Sequence, residues 1–515
     1  MKKSLKKKFG WTVFRRGLFI TVILFAQIAF LIALIIGSSR SFRYISWILN
    51  VLSIIVSVHI LNKKEKAAYK LTWIFLIMTF PIFGGILYII FYFQSNPRKL
   101  KRLIRRAQDQ CGPFFSLAGN SLPSLAASLP EYLPQAHYLQ RYAGFPIYTR
   151  TQAEYFPSGE AFFVRLLDEL EKAERYIFME FFILREGVML DPILSIMERK
   201  ARAGLDVRII YDDLGCFLSL PPNFSRQLEA RGIKCLVFNP FRPIFSSLQN
   251  NRDHRKIISI DGKTAFTGGM NLADEYINAI DRFGHWKDAA IMITGEAAWS
   301  LTLIFLQMWN LRRKEAAQYE TFYPWHNSPC PVESDGFVQP YADSPIDDEN
   351  VGEHVYIQII NSARKYVYIN TPYLVVDDNL LSALTLAAKS GVDVRIITPH
   401  RWDKWMVAIC SRSYYRQLVS AGVKVYEYTS GFNHSKTFVS DDRVATVGTT
   451  NLDFRSLYLH FECGVLLYNN KAVRSVKEDF LKTIPVSHEI ALAECARNVF
   501  QKIIPDVLRI FAPLM

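Results

Sequence analysis

One pattern occurs twice in this chain and constrains its fold more than any other feature: H-x-K-x4-D-x6-G-[GT]-x-N. The first copy runs from His254 through Lys256, Asp261, Gly268 and Gly269 to Asn271. The second runs from His434 through Lys436, Asp441, Gly448 and Thr449 to Asn451. Each copy sits inside a longer repeat, in which residues 173–184 match 363–374 and residues 204–210 match 391–397. A single apolar strand opened by Gly carries little information, because buried strands look alike. Several elements matched in the same order mean two copies of one unit. From about Gln135 onward, β-branched and aromatic runs alternate with helical stretches. The predicted fold is therefore α/β, a tandem duplication with halves at 135–330 and 331–515 and one site between them.

Side chains two apart on a strand project from the same face. His254 with Lys256, and His434 with Lys436, are thus expected to aim an imidazole and an ammonium at one spot. The Gly-rich turn lets backbone approach closely, and Asn271 or Asn451 can hydrogen-bond an oxygen. Taken singly, each residue has a dull reading as a packed His, a solvated Lys or a turn Asp. Two complete copies inside a wider duplication outweigh it.

Brought face to face, the copies surround one pocket with two imidazoles, two ammonium groups and two amides. Such a set suits phosphate oxygens without a metal or other cofactor. One neutral imidazole can attack phosphorus while the other, protonated, supplies the leaving oxygen with a proton. Phosphodiester transfer through a phospho-histidine follows, and the residues alone leave open which histidine attacks. Each ring needs an acid on its far nitrogen, and Asp288 and Glu462 stand at corresponding places after the two Asn residues. Asp261 and Asp441 complete the catalytic motif, but they lie too far along a strand to share the His face. A structural role is expected for both.

The N-terminal 97 residues read as a membrane region, with hydrophobic segments at 18–37, 44–61 and 71–93, the last interrupted by Pro81, Gly84 and Gly85. The first is long enough as a helix to reach across a bilayer core of about 30 Å. Lys and Arg cluster at 2–8, 63–70 and 98–106, so a multi-pass anchor with the catalytic part on the cytoplasmic side is expected, followed by a basic linker at 98–134. The balance of 61 Lys and Arg against 47 Asp and Glu, a net charge of +14, calls for an anionic partner such as nucleic acid or a lipid surface. With half its residues hydrophobic, the chain is neither disordered nor fibrous. Its seven cysteines form no C-x-x-C pair, which predicts reduced thiols and no zinc site.

The paired motifs resemble those of the phospholipase D superfamily. More narrowly, Tyr211-Asp-Asp-Leu-Gly215, residues 268–277, Gly284-His-Trp-Lys-Asp288, Asn370-Thr-Pro-Tyr373 and residues 448–456 resemble the bacterial cardiolipin synthases. The resemblance implies two α/β sandwich halves around one active site. It makes His254 the nucleophile and His434 the general acid and base, with Lys256, Lys436, Asn271 and Asn451 holding phosphate. It also implies transfer of a phosphatidyl group from one phosphatidylglycerol to another in the bilayer, giving cardiolipin and glycerol. Gly269 and Thr449 depart from the family, which often has Ser there, and the segment 18–37 is an extra hydrophobic stretch. A membrane-bound phospholipase D hydrolase or another phosphatidyltransferase would use the same residues. A nuclease would make no use of the anchor, so nucleic acid is not the expected partner, and a nonenzymatic scaffold would not keep both motifs intact. The oligomeric state is not legible in the sequence.

Overall fold

The computed structural model describes residues 40–94, 97–118, 121–241, 247–311, 318–326, 328–347, 349–496 and 498–514, together with Phe25, Ile28 and Ile32. The chain forms two compact units, one of residues 1–97, 241–250 and 507–515 and a larger one of 98–240 and 251–506.

In the smaller unit, helices Arg40–Leu61, Ala67–Thr79 and Pro81–Gln94 pack around Ile60, Ile77 and Tyr88. The chain's C-terminus joins them: the Thr72 hydroxyl donates to the Ile510 carbonyl at 2.7 Å, and Phe75 meets Phe511 edge-on. Among the described residues no helix is long and apolar enough to cross a membrane, so the expected multi-pass anchor is not supported. The third hydrophobic segment is cut in two at Pro81, which has no N–H to continue the preceding helix. The second hydrophobic segment lies in the unbroken helix Arg40–Leu61, which carries the polar residues Asn50, Ser53, Ser57 and His59 among its apolar ones. The segment 18–37 lies outside the described residues, apart from Phe25, Ile28 and Ile32.

The larger unit carries the duplication. Its first sheet orders the strands Thr151–Phe156, Ala290–Gly295, Thr264–Gly268, Ile257–Ile260, Tyr176–Phe181, Asp206–Asp212 and Lys234–Phe238. Its second repeats that order with Phe337–Asp343, His460–Tyr468, Val444–Gly448, Thr437–Ser440, Tyr366–Asn370, Asp393–Pro399 and Lys424–Tyr428, then adds Ser487–Glu489 at the edge. The last three strands of each shared set run parallel and the others antiparallel. Parallel strands need helical crossovers, which explains the helix-like stretches between the repeated strands. Residues 98–134, expected as a basic linker, are largely helical among the described residues. They form helices Pro97–Phe115 and Leu122–Ser128, and the Phe114 carbonyl accepts the Trp299 indole N–H at 2.8 Å.

Two short strand pairs cross from one half to the other. Arg252–Asp253 runs parallel to the start of His460–Tyr468, and Gly431–Asn433 runs parallel to His285–Lys287. Thr267 and Cys463 meet at 3.4 Å where the two sheets approach. None of the seven cysteines is joined in a disulfide among the described residues.

Candidate active site

The crossed strand pairs set the site. His254 and Lys256 lie in an extended segment just before strand Ile257–Ile260, and His434 and Lys436 just before Thr437–Ser440, rather than within those strands as the alternation suggested. The backbone of each segment is committed to the opposite half. His254 N–H donates to the Phe461 carbonyl at 3.0 Å, and His434 N–H donates to the Lys287 carbonyl at 2.7 Å.

The residue after each of those carbonyls is an acid, and its carboxylate meets the imidazole. Glu462 lies 2.9 Å from His254 Nδ1, and Asp288 lies 2.6 Å from His434 Nδ1. Each half therefore supplies the acid for the other half's histidine. With Nδ1 occupied by a carboxylate, Nε2 is left for chemistry.

Both lysines fold back along the backbone. Lys256 Nζ donates to the His254 carbonyl at 2.6 Å, while Lys436 Nζ donates to the His434 carbonyl and stands 2.8 Å from that ring's Nδ1. Both motif histidines, both motif lysines and both acids are buried. Beneath the motifs, Arg255 pairs with Glu180 at 2.6 Å and Asp253 at 3.1 Å, where the second half uses the amide pair Asn433 to Asn370 at 3.0 Å.

Asp261 and Asp441 do not enter the pocket. Asp261 accepts the backbone N–H groups of Glu174, Arg175 and Tyr176, all at 2.8 Å, and Asp441 does the same for Arg364, Lys365 and Tyr366. Each clamps the turn after its motif to the start of the neighbouring strand, with φ of +55° and +54°. Asn271 is largely committed to its own half: its carbonyl accepts Ile183 N–H at 3.0 Å, and its amide donates to the Tyr276 hydroxyl at 2.6 Å. Asn451 donates to Asp453 at 3.1 Å, and its Oδ1 is buried without a hydrogen-bond partner among the described residues.

The two departures at the Gly-rich turn have physical causes. A Cβ on Gly269 would stand 2.0 Å from Asp288 Oδ1, so the acid occupies the space a side chain would need. In the second half the Thr449 hydroxyl donates to Glu462 and orients it.

Aromatic rings close the pocket around each imidazole. Phe182 lies 5.1 Å from His254, and Trp286, Tyr276 and Phe432 lie 5.2, 5.7 and 5.8 Å from His434. His460, which the sequence reading passed over, takes the place by His254 that Trp286 takes by His434, with ring centroids 5.4 Å apart. Neither of its ring nitrogens has a hydrogen-bond partner among the described residues. Its signal was spacing: His460 and Trp286 each stand two residues before the acid, on the same strand face. His254, His460 and Glu462 also bring three ligand-type atoms within 4.8 Å of one another, two of them already joined in the His254 to Glu462 contact.

Burial and the lysines disfavour the charged form of both imidazoles. His254 is held well below the usual histidine range by burial, then Lys256, His460, Lys436 and His434. His434 is lowered to about 4 by burial and Lys436, with Asp288 opposing. Burial also lowers Lys256 to about 8 and Lys436 to about 7. The acids differ. Burial pushes Glu462 well up, whereas Lys436 and His434 outweigh burial and hold Asp288 below the usual carboxylate range.

Residues 166–309 and 356–484 match the family described as cardiolipin synthase, PLD-like domain, and residues 51–91 match the phospholipase D-nuclease N-terminal family. A cardiolipin synthase of Alkalihalophilus pseudofirmus is 33% identical over 492 residues, covering 93% of this chain and 96% of that protein. The chain belongs to the cardiolipin synthase family. An uncharacterized protein of Streptococcus mutans is 43% identical over 461 residues, 89% of this chain and 99% of the relative. The fold of this cardiolipin synthase family member is shared with a phosphatidylserine synthase of Haemophilus influenzae, at TM-score 0.54 and 16% identity over 74% of this chain and 97% of that one.

Proposed function

We propose that the chain is a phosphatidyltransferase that makes cardiolipin and glycerol from two molecules of phosphatidylglycerol. The observation that carries this reading is the crossed pair of histidine and acid contacts, His254 with Glu462 and His434 with Asp288, beside two buried lysines. The kinship with cardiolipin synthases over most of the chain supports the lipid substrate.

In this mechanism Nε2 of His254 attacks the donor phosphorus. The bond from phosphorus to the glycerol oxygen breaks, and that oxygen takes a proton from His434. The acceptor hydroxyl then gives its proton to His434 and attacks phosphorus, releasing His254. The difference between the acids supports this division of labour. An ionised Asp288 favours an imidazolium at His434, while the Glu462 side leaves His254 neutral, with Nε2 free to attack. The phosphodiester anion offsets Lys256 and Lys436, which oppose protonation of His434, so the proton on His434 arrives with substrate. Lys256, Lys436 and the free amide N–H groups of Asn271 and Asn451 hold the phosphate oxygens.

Action at the cell membrane, with the catalytic unit on the cytoplasmic side, belongs to the same reading. It is supported by the basic residues around the hydrophobic segments and by the exposed Trp47, Ile48, Leu52 and Ile55 on helix Arg40–Leu61.

The test is incubation of purified protein with labelled phosphatidylglycerol in mixed micelles, without metal or nucleotide, beside His254→Ala and His434→Ala. Cardiolipin and glycerol in equal amounts, lost in both variants, is the expected result. Phosphatidic acid as the sole lipid product would replace transfer with hydrolysis.

A further inference from the structure

Strands Asp206–Asp212 and Asp393–Pro399 are equivalent members of the two sheets, and each runs out into a segment that exposes large apolar side chains. After the first, Leu214 and Phe217 are about two-fifths exposed and Leu218 is 95% exposed. After the second, Trp402 and Trp405 are half exposed, with Met406 beside them and the exposed cations Arg401 and Lys404 interleaved. Scattered surface apolar residues need no explanation, but a pair of clusters at equivalent positions beside a buried site does.

Each cluster is built onto the ring that covers one catalytic histidine. In the first half, Cys216 Sγ donates to the Phe182 carbonyl at 3.5 Å and accepts Leu184 N–H at 3.2 Å, and the Phe182 ring meets His254 edge-on. A Cβ on Gly215 would fall 2.1 Å from the Phe182 carbonyl oxygen, so this segment is pressed against the pocket wall. In the second half, the Tyr373 hydroxyl donates to Asp403 at 2.6 Å and Lys404 covers the Tyr373 ring at 4.8 Å. Trp402, Asp403 and Lys404 line a cavity with Tyr373 and Phe432, and Phe432 stacks on His434.

From this arrangement we infer that the two segments, 213–218 and 401–406, are twin membrane-insertion points that seat the catalytic pocket on an anionic lipid surface. The inference rests on the lipid reading above and names how that substrate is reached. Trp, Leu and Phe enter the boundary between headgroups and acyl chains, while Arg401 and Lys404 meet lipid phosphates. The rings of Phe182 and Phe432 then continue an apolar surface inward, along which acyl chains stay covered while the phosphodiester reaches the histidines.

The test compares Leu218→Asp and Trp405→Asp with the unaltered full chain on two forms of phosphatidylglycerol: vesicles, and a short-chain form dispersed below its micelle concentration. Each variant is expected to lose about tenfold or more of its turnover on vesicles and to stay within about twofold on the dispersed lipid, with Trp405→Phe restoring the vesicle rate. Equal losses on both forms, or none on vesicles, would overturn the inference. A readout independent of turnover is quenching of tryptophan fluorescence by brominated phosphatidylglycerol in vesicles. The unaltered chain is expected to be quenched more than Trp405→Phe, and equal quenching would also overturn it. Absence of phosphatidyl transfer from either lipid form by the unaltered chain, with the quenching difference present, would sink the reaction assigned above and leave the membrane contact standing.

Discussion

His434 and Asp288 meet at 2.6 Å through Nδ1 and a carboxylate oxygen, although they belong to opposite halves of the duplication. The His254 to Glu462 contact repeats the exchange in the other direction. Neither half supplies the acid that meets its own histidine, and this arrangement exists only when the two are docked.

The exchange predicts an asymmetry in double-variant kinetics. Asp288→Asn and Glu462→Gln should each lower kcat by about 10²- to 10⁴-fold, the range seen when a histidine loses its orienting acid. Combining Asp288→Asn with His434→Ala should cost little more than His434→Ala alone, because the acid acts through that ring. Phospho-histidine trapping with labelled lipid adds a readout beyond rate: Asp288→Asn should still form the intermediate on His254 and release it slowly. Full additivity of Asp288→Asn with His434→Ala would break the pairing.

The pH profile should report the lysines. Their folded pKa values are depressed, to about 7 for Lys436 and about 8 for Lys256, so the ammonium charge that holds phosphate is present below those values and lost as pH rises through them. On dispersed substrate, kcat/KM should fall on the alkaline side across this window. Lys436→Arg should lower the plateau yet flatten that limb, since guanidinium does not titrate there. An unchanged alkaline limb in Lys436→Arg would argue against the assignment.

The histidines make a separate prediction about stability. A buried imidazole with a folded pKa of about 4 and an unfolded value of about 6.5 leaves the unfolded chain binding more protons between those limits. Stability is therefore full above about pH 6.5 and declines as pH falls towards 4. His434→Phe should shrink the acid-side slope measured by denaturant unfolding from pH 7 to 4.5.

Asp261 should behave as a structural residue. Asp261→Ala releases three backbone N–H groups and puts Ala at a left-handed φ, which should cost about 3 kcal/mol or more of stability. Protein that remains folded at low temperature should keep kcat/KM within about threefold of the parent, because the carboxylate never faces the pocket. A loss as large as that of His434→Ala would return Asp261 to the chemistry.

Gly269 should tolerate no side chain. Gly269→Ala drives a Cβ into Asp288 Oδ1, so the acid must leave His434. Activity should drop about 100-fold or more, matching Asp288→Asn in size. Thr449→Ser, which keeps the hydroxyl on Glu462, should stay near parental rates.

Much of this was legible in the chain. The repeated strands of residues 173–184 and 363–374 predicted two equivalent sheets, because β-branched and aromatic runs with matched spacing fold alike. The motif residues His254, Lys256, His434 and Lys436, and the acids Asp288 and Glu462, were found because they occupy corresponding places in the two copies. The alternation argument placed the motif histidines inside strands, whereas they precede them, since their backbone N–H groups are taken by the opposite half. The contacts of Asn271 within its own half, through its carbonyl to Ile183 and one amide proton to Tyr276, are not legible in the motif, which shows only the residue type. His460 escaped notice because its counterpart in the repeat is Trp286, and matching by identity passes over a position where the copies differ.

Sequence alone determined the duplication, the chemical groups available and their suitability for a phosphodiester, since these depend on residue type and local period. Tertiary structure decided which acid serves which histidine, which carboxylates clamp turns and which rings close the pocket. Those are contacts between residues far apart in the chain. In a repeat, local physics is the same for both copies, so only the docking of one half on the other can say that Glu462 belongs to His254 and Asp288 to His434.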